Sequence, residues 1–222
     1  LLLGQLIQNQ ATSLFIFTMP DRVDAESLFH MDESEANREE QFSIAQKALR
    51  VRKVGTDLIT LAGGQFIHPI KAHIGGVSGG IPRADAEQML KQLDEMLPVA
   101  CELFNTYWDM SMAMGERIGS WGDDEPTYYI SSTTSVKPKL NSGHLRVLSP
   151  DGEEKEHFTP EEFEQRIQFE QTDYSYAGKT SYQGQILRAN SLARINITSS
   201  FGTPIADGIR VVFLLELDAL FE

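Results

Sequence analysis

The sequence predicts a helix-dominated α+β fold with a small antiparallel β insert. Three observations carry that prediction. Two long stretches, one closing near Leu61 and one running from about Arg83 to Ile118, place apolar residues at helical spacing. From Trp121 the pattern changes to short runs of strand formers, Tyr128-Tyr129-Ile130 and His144 to Leu148. Ser149-Pro150-Asp151-Gly152 then reads as a turn into a further strand, Lys155 to Phe158.

The elements follow in order. Residues 3–18 read as a helix, with Leu3, Leu6, Ile7, Leu14 and Phe17 as its apolar surface and Pro20 as its stop. Residues 21–31 read as a loop. Asp32 and Glu35 have capping-box spacing for a long helix to about Leu61, with core candidates Phe42, Ala45, Leu49, Leu58 and Ile59. Gly63-Gly64 supplies a left-handed cap. The stretch to Pro82 holds six of the 17 glycines when those two are counted, so irregular backbone is expected there. In the second long helix Met89, Leu93, Met96, Leu97, Ala100, Leu103, Tyr107 and Met114 form the apolar stripe. Pro98 is expected to kink or split it. Thr159-Pro160-Glu161-Glu162 starts a helix to about Phe169. An aromatic loop, Tyr174 to Tyr182, and the segment Arg188 to Ser200 complete the reading.

One domain is expected over 1–222: 1–120 mainly helical, 121–158 the β insert, 159–222 helix and loops. The apolar ends, Leu1 onward and Val211 to Glu222, suggest a piece of a longer polypeptide.

Composition excludes several function classes. With 222 residues, 41% of them hydrophobic, the chain can bury a core and is too apolar for disorder. Lys plus Arg is 19 and Asp plus Glu is 32, so the net charge is 19 − 32 = −13. That balance argues against a nucleic-acid backbone or an anionic membrane as main partner. No apolar run approaches the ~18 residues of a membrane span. One cysteine, Cys101, rules out an intrachain disulfide and a multi-cysteine metal site built from this chain alone. It suits a reducing compartment.

Chemistry-bearing residues are sparse. His68 and His73 lie five apart in the Gly-rich loop. Two imidazoles can begin a metal site, but no third ligand has fixed spacing to them, and a loop histidine bonded to backbone explains them as well. His30, His144 and His157 stand alone and read as surface or structural residues. Gly75, Gly76, Gly79 and Gly80 match neither a dinucleotide fingerprint nor a P-loop. Met110, Met112 and Met114 are spaced by two on a helix, which scatters them and favours packing over a soft-metal site. Cys101 reads as inert and buried. The acidic runs 32–40 and 153–156 read as solvated faces.

Three segments together resemble the large (alpha) subunit of nickel–iron hydrogenases, in the cytoplasmic multi-subunit branch. They are LGQLIQNQATSLFIFTMPD (Leu3 to Asp21), VGTDLITLAGGQFIHPIKAHIGGV (Val54 to Val77), and YSYAGKTSY with RANSLARINITSSFGTPIAD (Tyr174 to Asp207). The family's centre hangs on four cysteine thiolates, one pair near each end of the large subunit. Both pairs are absent here. Gln10 stands where many members carry a histidine, and glutamine cannot titrate. Asn190-Ser191 replaces a usual Gly-Pro before Leu192-Ala193-Arg194.

The resemblance implies the central portion of an enzyme that oxidises H2 and reduces protons reversibly. Electrons would pass to an iron–sulfur small subunit, then to further electron-transfer subunits. No catalytic or metal-ligating residue is expected in these 222. Gln8 and Gln10 would support the pocket, and His68-Pro69 and Arg194 would lock neighbouring elements. For Arg194 a surface ion pair is an equal reading; for His68 a structural role is the favoured one. The alternative is a metal-free relative acting as scaffold, like the quinone-pocket subunit of the respiratory NADH–quinone complex, or an assembly relative. The expected location is cytoplasmic, without nucleic acid.

Overall fold

A computed structural model describes residues 1–30, 38–115, 117, 126–133 and 143–210. Contacts divide the chain into two compact units, Leu1–Ile118 and Gly119–Glu222.

The first unit is helical. Helix α1 (Leu2–Ala11) continues without a break into a π-helical segment (Thr12–Thr18) and the single turn α2 (Met19–Asp21). Helical structure ends at Asp21, one residue past Pro20, the expected stop. The expected apolar face differs: Gly4, Ala11, Phe15 and Met19 are buried, while Leu3 and Phe17 face solvent, Phe17 at 68% exposure. The widened π turn accounts for this. It holds more than four residues per turn, so Ala11, Phe15 and Met19, four apart, stay on one stripe.

Helix α3 (Arg38–Gly63) buries Gln41, Ala45, Ala48, Val51, Val54, Gly55 and Ile59. The proposed Asp32–Glu35 cap lies outside the described residues. Phe42 and Leu49, expected in the core, are exposed. The buried stripe is made of small residues because α1 crosses there at close range. A Cβ on Gly55 would sit 2.6 Å from the Gln8 backbone nitrogen, and one on Gly4 would sit 2.9 Å from Ile59. Gly64 (φ +89°) provides the left-handed cap expected of it, and its N–H donates to the Thr60 carbonyl at 2.8 Å. Two short strands, β1 (Ala72–His73) and β2 (Gly76–Val77), lie in the Gly-rich segment that follows.

Helix α4 (Arg83–Met112) runs unbroken through Pro98, so the expected split is absent. Pro98 is exposed, and the carbonyl its missing N–H would have met, that of Asp94, belongs to a solvent-facing residue. Met89, Met96 and Leu103 are buried, while Leu97 is not. The helix ends at Met112, short of the expected Ile118. Arg22 clamps the two helical ends: it donates to the Tyr107 hydroxyl, lies 3.9 Å from the Met114 sulfur and stacks 5.0 Å from the Tyr107 ring centre. Arg117 pairs with both Asp24 oxygens at 2.6 and 2.7 Å.

The second unit is built on six strands: β3 (Tyr128–Thr133), β4 (His144–Leu148), β5 (Glu154–Phe158), β6 (Gln168–Thr172), β7 (Ser175–Tyr182) and β8 (Gln185–Arg188). They form one sheet in the order β5-β4-β3-β8-β7-β6. All described neighbours are antiparallel except β3 with β8. Two corrections to the sequence reading follow. The helix after Thr159 is a 3₁₀ turn (Pro160–Glu162) and one α turn, α5 (Phe163–Arg166), ending before Phe169. The aromatic loop is strand β7, so 159–222 is not helix and loops alone, and the sheet is larger than an insert over 121–158. The ribbon β6–β7 is exposed on both faces over most of its length. It lacks the apolar alternation that marks a half-buried strand. Helix α6 (Asn190–Ile197) lies on β3 and β4, burying Ala193 and Ile197 against Leu148. Ile130, Val147, Phe158, Ile167 and Tyr182 form the other core cluster.

Candidate functional site

The Gly-rich segment after α3 is an arm. Its base is pinned: the Ile70 and Lys71 N–H groups both donate to the Gly63 carbonyl at 3.0 Å, and Lys71 Nζ reaches the Leu61 carbonyl at 3.4 Å. A Cβ on Gly63 would meet Leu1 and Pro69, each at 2.7 Å, so both side chains crowd that glycine. Beyond the base, β1 and β2 pair as a minimal hairpin. Ile67, Ile70, Ile74, Val77 and Ile81 are all exposed along it, and a Cβ added at Gly75, Gly76, Gly79 or Gly80 would meet nothing within 4 Å. The stretch 65–82 contains Lys71 and no acidic residue, in a chain of charge −13.

The expected site residues fall as follows. Gln8 sits at the α1–α3 crossing, and its Nε2 donates to the Thr12 hydroxyl at 3.2 Å while that hydroxyl donates to the Gln8 carbonyl at 2.7 Å. Gln10 is half-buried and has a partner. His68 is exposed in a left-handed conformation (φ +55°), its carbonyl accepting from Gln65 Nε2 at 2.7 Å. Gln8 and Gln10 share one helix, and Pro69 of the His68-Pro69 loop lies against Gly63 at the end of α3. Arg194 belongs to the second unit, on α6. It is half-buried, and its carbonyl accepts from the Thr198 N–H and hydroxyl at 3.1 and 2.6 Å. An ion pair to its guanidinium is absent among the described residues. Asn190, at the start of α6, takes φ +69°. That is a glycine-favouring conformation which asparagine tolerates, at the position where the resembled family carries glycine.

Sequence reasoning missed the clamp on the loop after α6. Asp207 accepts from the Ser200 hydroxyl at 2.9 Å and the Phe201 N–H at 2.5 Å, fixing 200–207 in a tight bend. Ser-Ser-Phe-Gly-Thr-Pro before an aspartate was the available signal.

The implied metal centre needs four thiolates, and the sequence holds one cysteine, half-buried on α4. Among the described residues no three His, Cys, Asp or Glu side chains are grouped to hold a metal. These residues do not supply such a site, and no step through it is derived. No helix among the described residues is long and apolar enough to cross a membrane.

No protein-family model matches the chain. Its sequence is similar to hydrogenase subunits. It is 27% identical over 220 residues to a subunit of the F420-non-reducing hydrogenase vhu of Methanocaldococcus jannaschii, covering 96% of this chain and 52% of that protein. It is 23% identical over 222 residues to the beta subunit of the NAD-reducing hydrogenase HoxS of Cupriavidus necator, covering 91% and 44%. The fold matches a chain of the NAD+-reducing [NiFe]-hydrogenase solved in its H2-reduced state. The TM-score is 0.76 at 20% identity, over 95% of this chain and 48% of that one. The chain thus spans about half the length of the curated relatives it matches.

Proposed function

We propose that these residues are the central portion of a hydrogenase large subunit, the subunit that carries the nickel–iron centre. The observation that supports this reading best is the extent of the likeness. Hydrogenase subunits align with 96% of the chain, and a hydrogenase chain shares the fold over 95% of it. In this reading the four thiolates lie outside residues 1–222. The chain's own residues then do positioning work. The tight Gly4–Gly55 crossing fixes α1, and with it Gln8 and Gln10. Pro69 against Gly63 holds the arm at the end of α3, and Arg194 holds α6. The proposed partners are an iron–sulfur small subunit plus further electron-transfer subunits. H2 is the proposed substrate, and the location is cytoplasmic.

The test uses the intact gene product purified with its natural subunits. The reading expects a C-x-x-C pair on each flank and tightly held nickel near one atom per chain. Flanks without cysteines and a protein free of nickel would sink it. The metal-free scaffold would then stand instead, and binding of a quinone-site inhibitor by the complex would identify that scaffold.

A further inference from the structure

One face of the β4–β5 pair, away from the part that α6 covers at Leu148, carries two exposed imidazoles side by side. The register pairs Leu145 with Phe158 and Arg146 with His157. His144 and His157 are therefore diagonal neighbours on one face, while Leu145, Val147 and Phe158 turn the opposite way into the core. The two ring centres are 4.6 Å apart and the planes are inclined by 52°. Both residues are exposed. Neither ring has a hydrogen-bond partner among the described residues. Arg146, on the same face, is already committed: it bonds Glu154 at 2.8 Å and the Ile197 carbonyl at 3.3 Å.

We propose that His144 and His157 form a two-imidazole chelate for a divalent first-row cation of square or octahedral habit, Cu2+ or Ni2+. Imidazole is the commonest protein ligand for such ions. With metal–nitrogen bonds of about 2.0–2.1 Å, two imidazoles spanning a right angle have ring centres about 4.5 Å apart, against about 5.2 Å for a tetrahedral pair. The observed 4.6 Å brings the two rings within reach of one ion. Glu161 adds a negative charge nearby. Its carboxyl is held below its ordinary value by its own backbone N–H first, then by the Thr159 hydroxyl, with the His144 charge acting in the same direction. Two exposed side chains leave the remaining positions to water, so the ion exchanges freely. The proposal stands whether or not the hydrogenase reading does.

The test titrates the intact gene product with Cu2+ after a chelator has removed labile metal. It reads stoichiometry by calorimetry and nitrogen hyperfine structure by electron paramagnetic resonance. One equivalent with two coupled nitrogens is expected. His144→Asn and His157→Gln should each weaken it at least about tenfold, with the thermal midpoint unchanged because both side chains are exposed. No binding by the wild type, or an unchanged first equivalent in the double variant, overturns the proposal. That result leaves the rings as a simple cross-strand contact.

Discussion

Gly55 and Gly4 decide how close two helices come. Alanine at Gly55 would gain about 1 kcal/mol of helix propensity. It would also drive a methyl to 2.6 Å from the Gln8 backbone nitrogen and 2.9 Å from the Gly4 carbonyl, neither of which can swing aside. Overpacking of this kind costs about 1–3 kcal/mol or more, so Gly55→Ala should destabilise the protein, read by chemical denaturation. Gly178→Ala brings a methyl closer still to the Phe169 ring, yet that ring is 69% exposed and can rotate away. Its cost should stay under about 1 kcal/mol by the same measurement. At Asn190 the backbone is left-handed. Asn190→Gly should be neutral or stabilising and Asn190→Val destabilising by about 1–2 kcal/mol. These positions explain why part of the small-residue face of α3 escaped sequence reading. The sequence reading places Ala45 and Ile59 correctly in the core, but a search that also selects large apolar side chains takes Phe42 and Leu49 and passes over Ala48 and Gly55.

At the scale of elements, α4 carries an unneeded proline. Pro98 is exposed mid-helix and packs on nothing in the core. Pro98→Ala should stabilise the protein by about 1–3 kcal/mol, the lost hydrogen bond outweighing the stiffer unfolded chain. The turn after β5 offers a pH test. The Thr159 N–H, then the Arg166 pair, lowers the Glu162 carboxyl below its ordinary 4.5. A depressed carboxyl stabilises the fold above that ordinary value and loses the contribution as pH falls below it. The denaturation midpoints of wild type and Glu162→Gln should therefore differ at pH 7 and converge under acid. Elements with strong local signals were legible: the Gly63-Gly64 cap, the Ser149–Gly152 turn and the Thr159–Glu162 box. Strands β6 and β7 were not, because a ribbon wet on both faces writes no alternation into its sequence.

At the scale of the molecule, the arm and the helical core should behave differently. Amides over 74–80, with nothing packed on their glycines, should exchange with deuterium far faster than those over 45–59, by orders of magnitude in mass spectrometry. The class of fold could be read early because long helices and short strands leave opposite periods in the chain. The candidate site was legible only in part. His68, Gln8 and Gln10 were found through motifs, but their setting depends on a glycine crossing and a proline contact between segments far apart in the chain. His144 and His157 looked solitary because strand register, not sequence distance, makes them neighbours.

A π segment is an α-helix holding one residue more than its ends require. In Thr12–Thr18 that surplus sets a rotational phase. Upstream, Gly4 faces the α3 crossing, and downstream Phe15 and Met19 fill the core. Deleting exposed Ser13 should leave helix content unchanged and turn one half by about 100° against the other. Circular dichroism would then report an intact helix in a protein that no longer unfolds cooperatively. Here a deletion acts as a twist, and the supernumerary residue sets the phase between the Gly4 crossing and the Phe15 and Met19 core contacts.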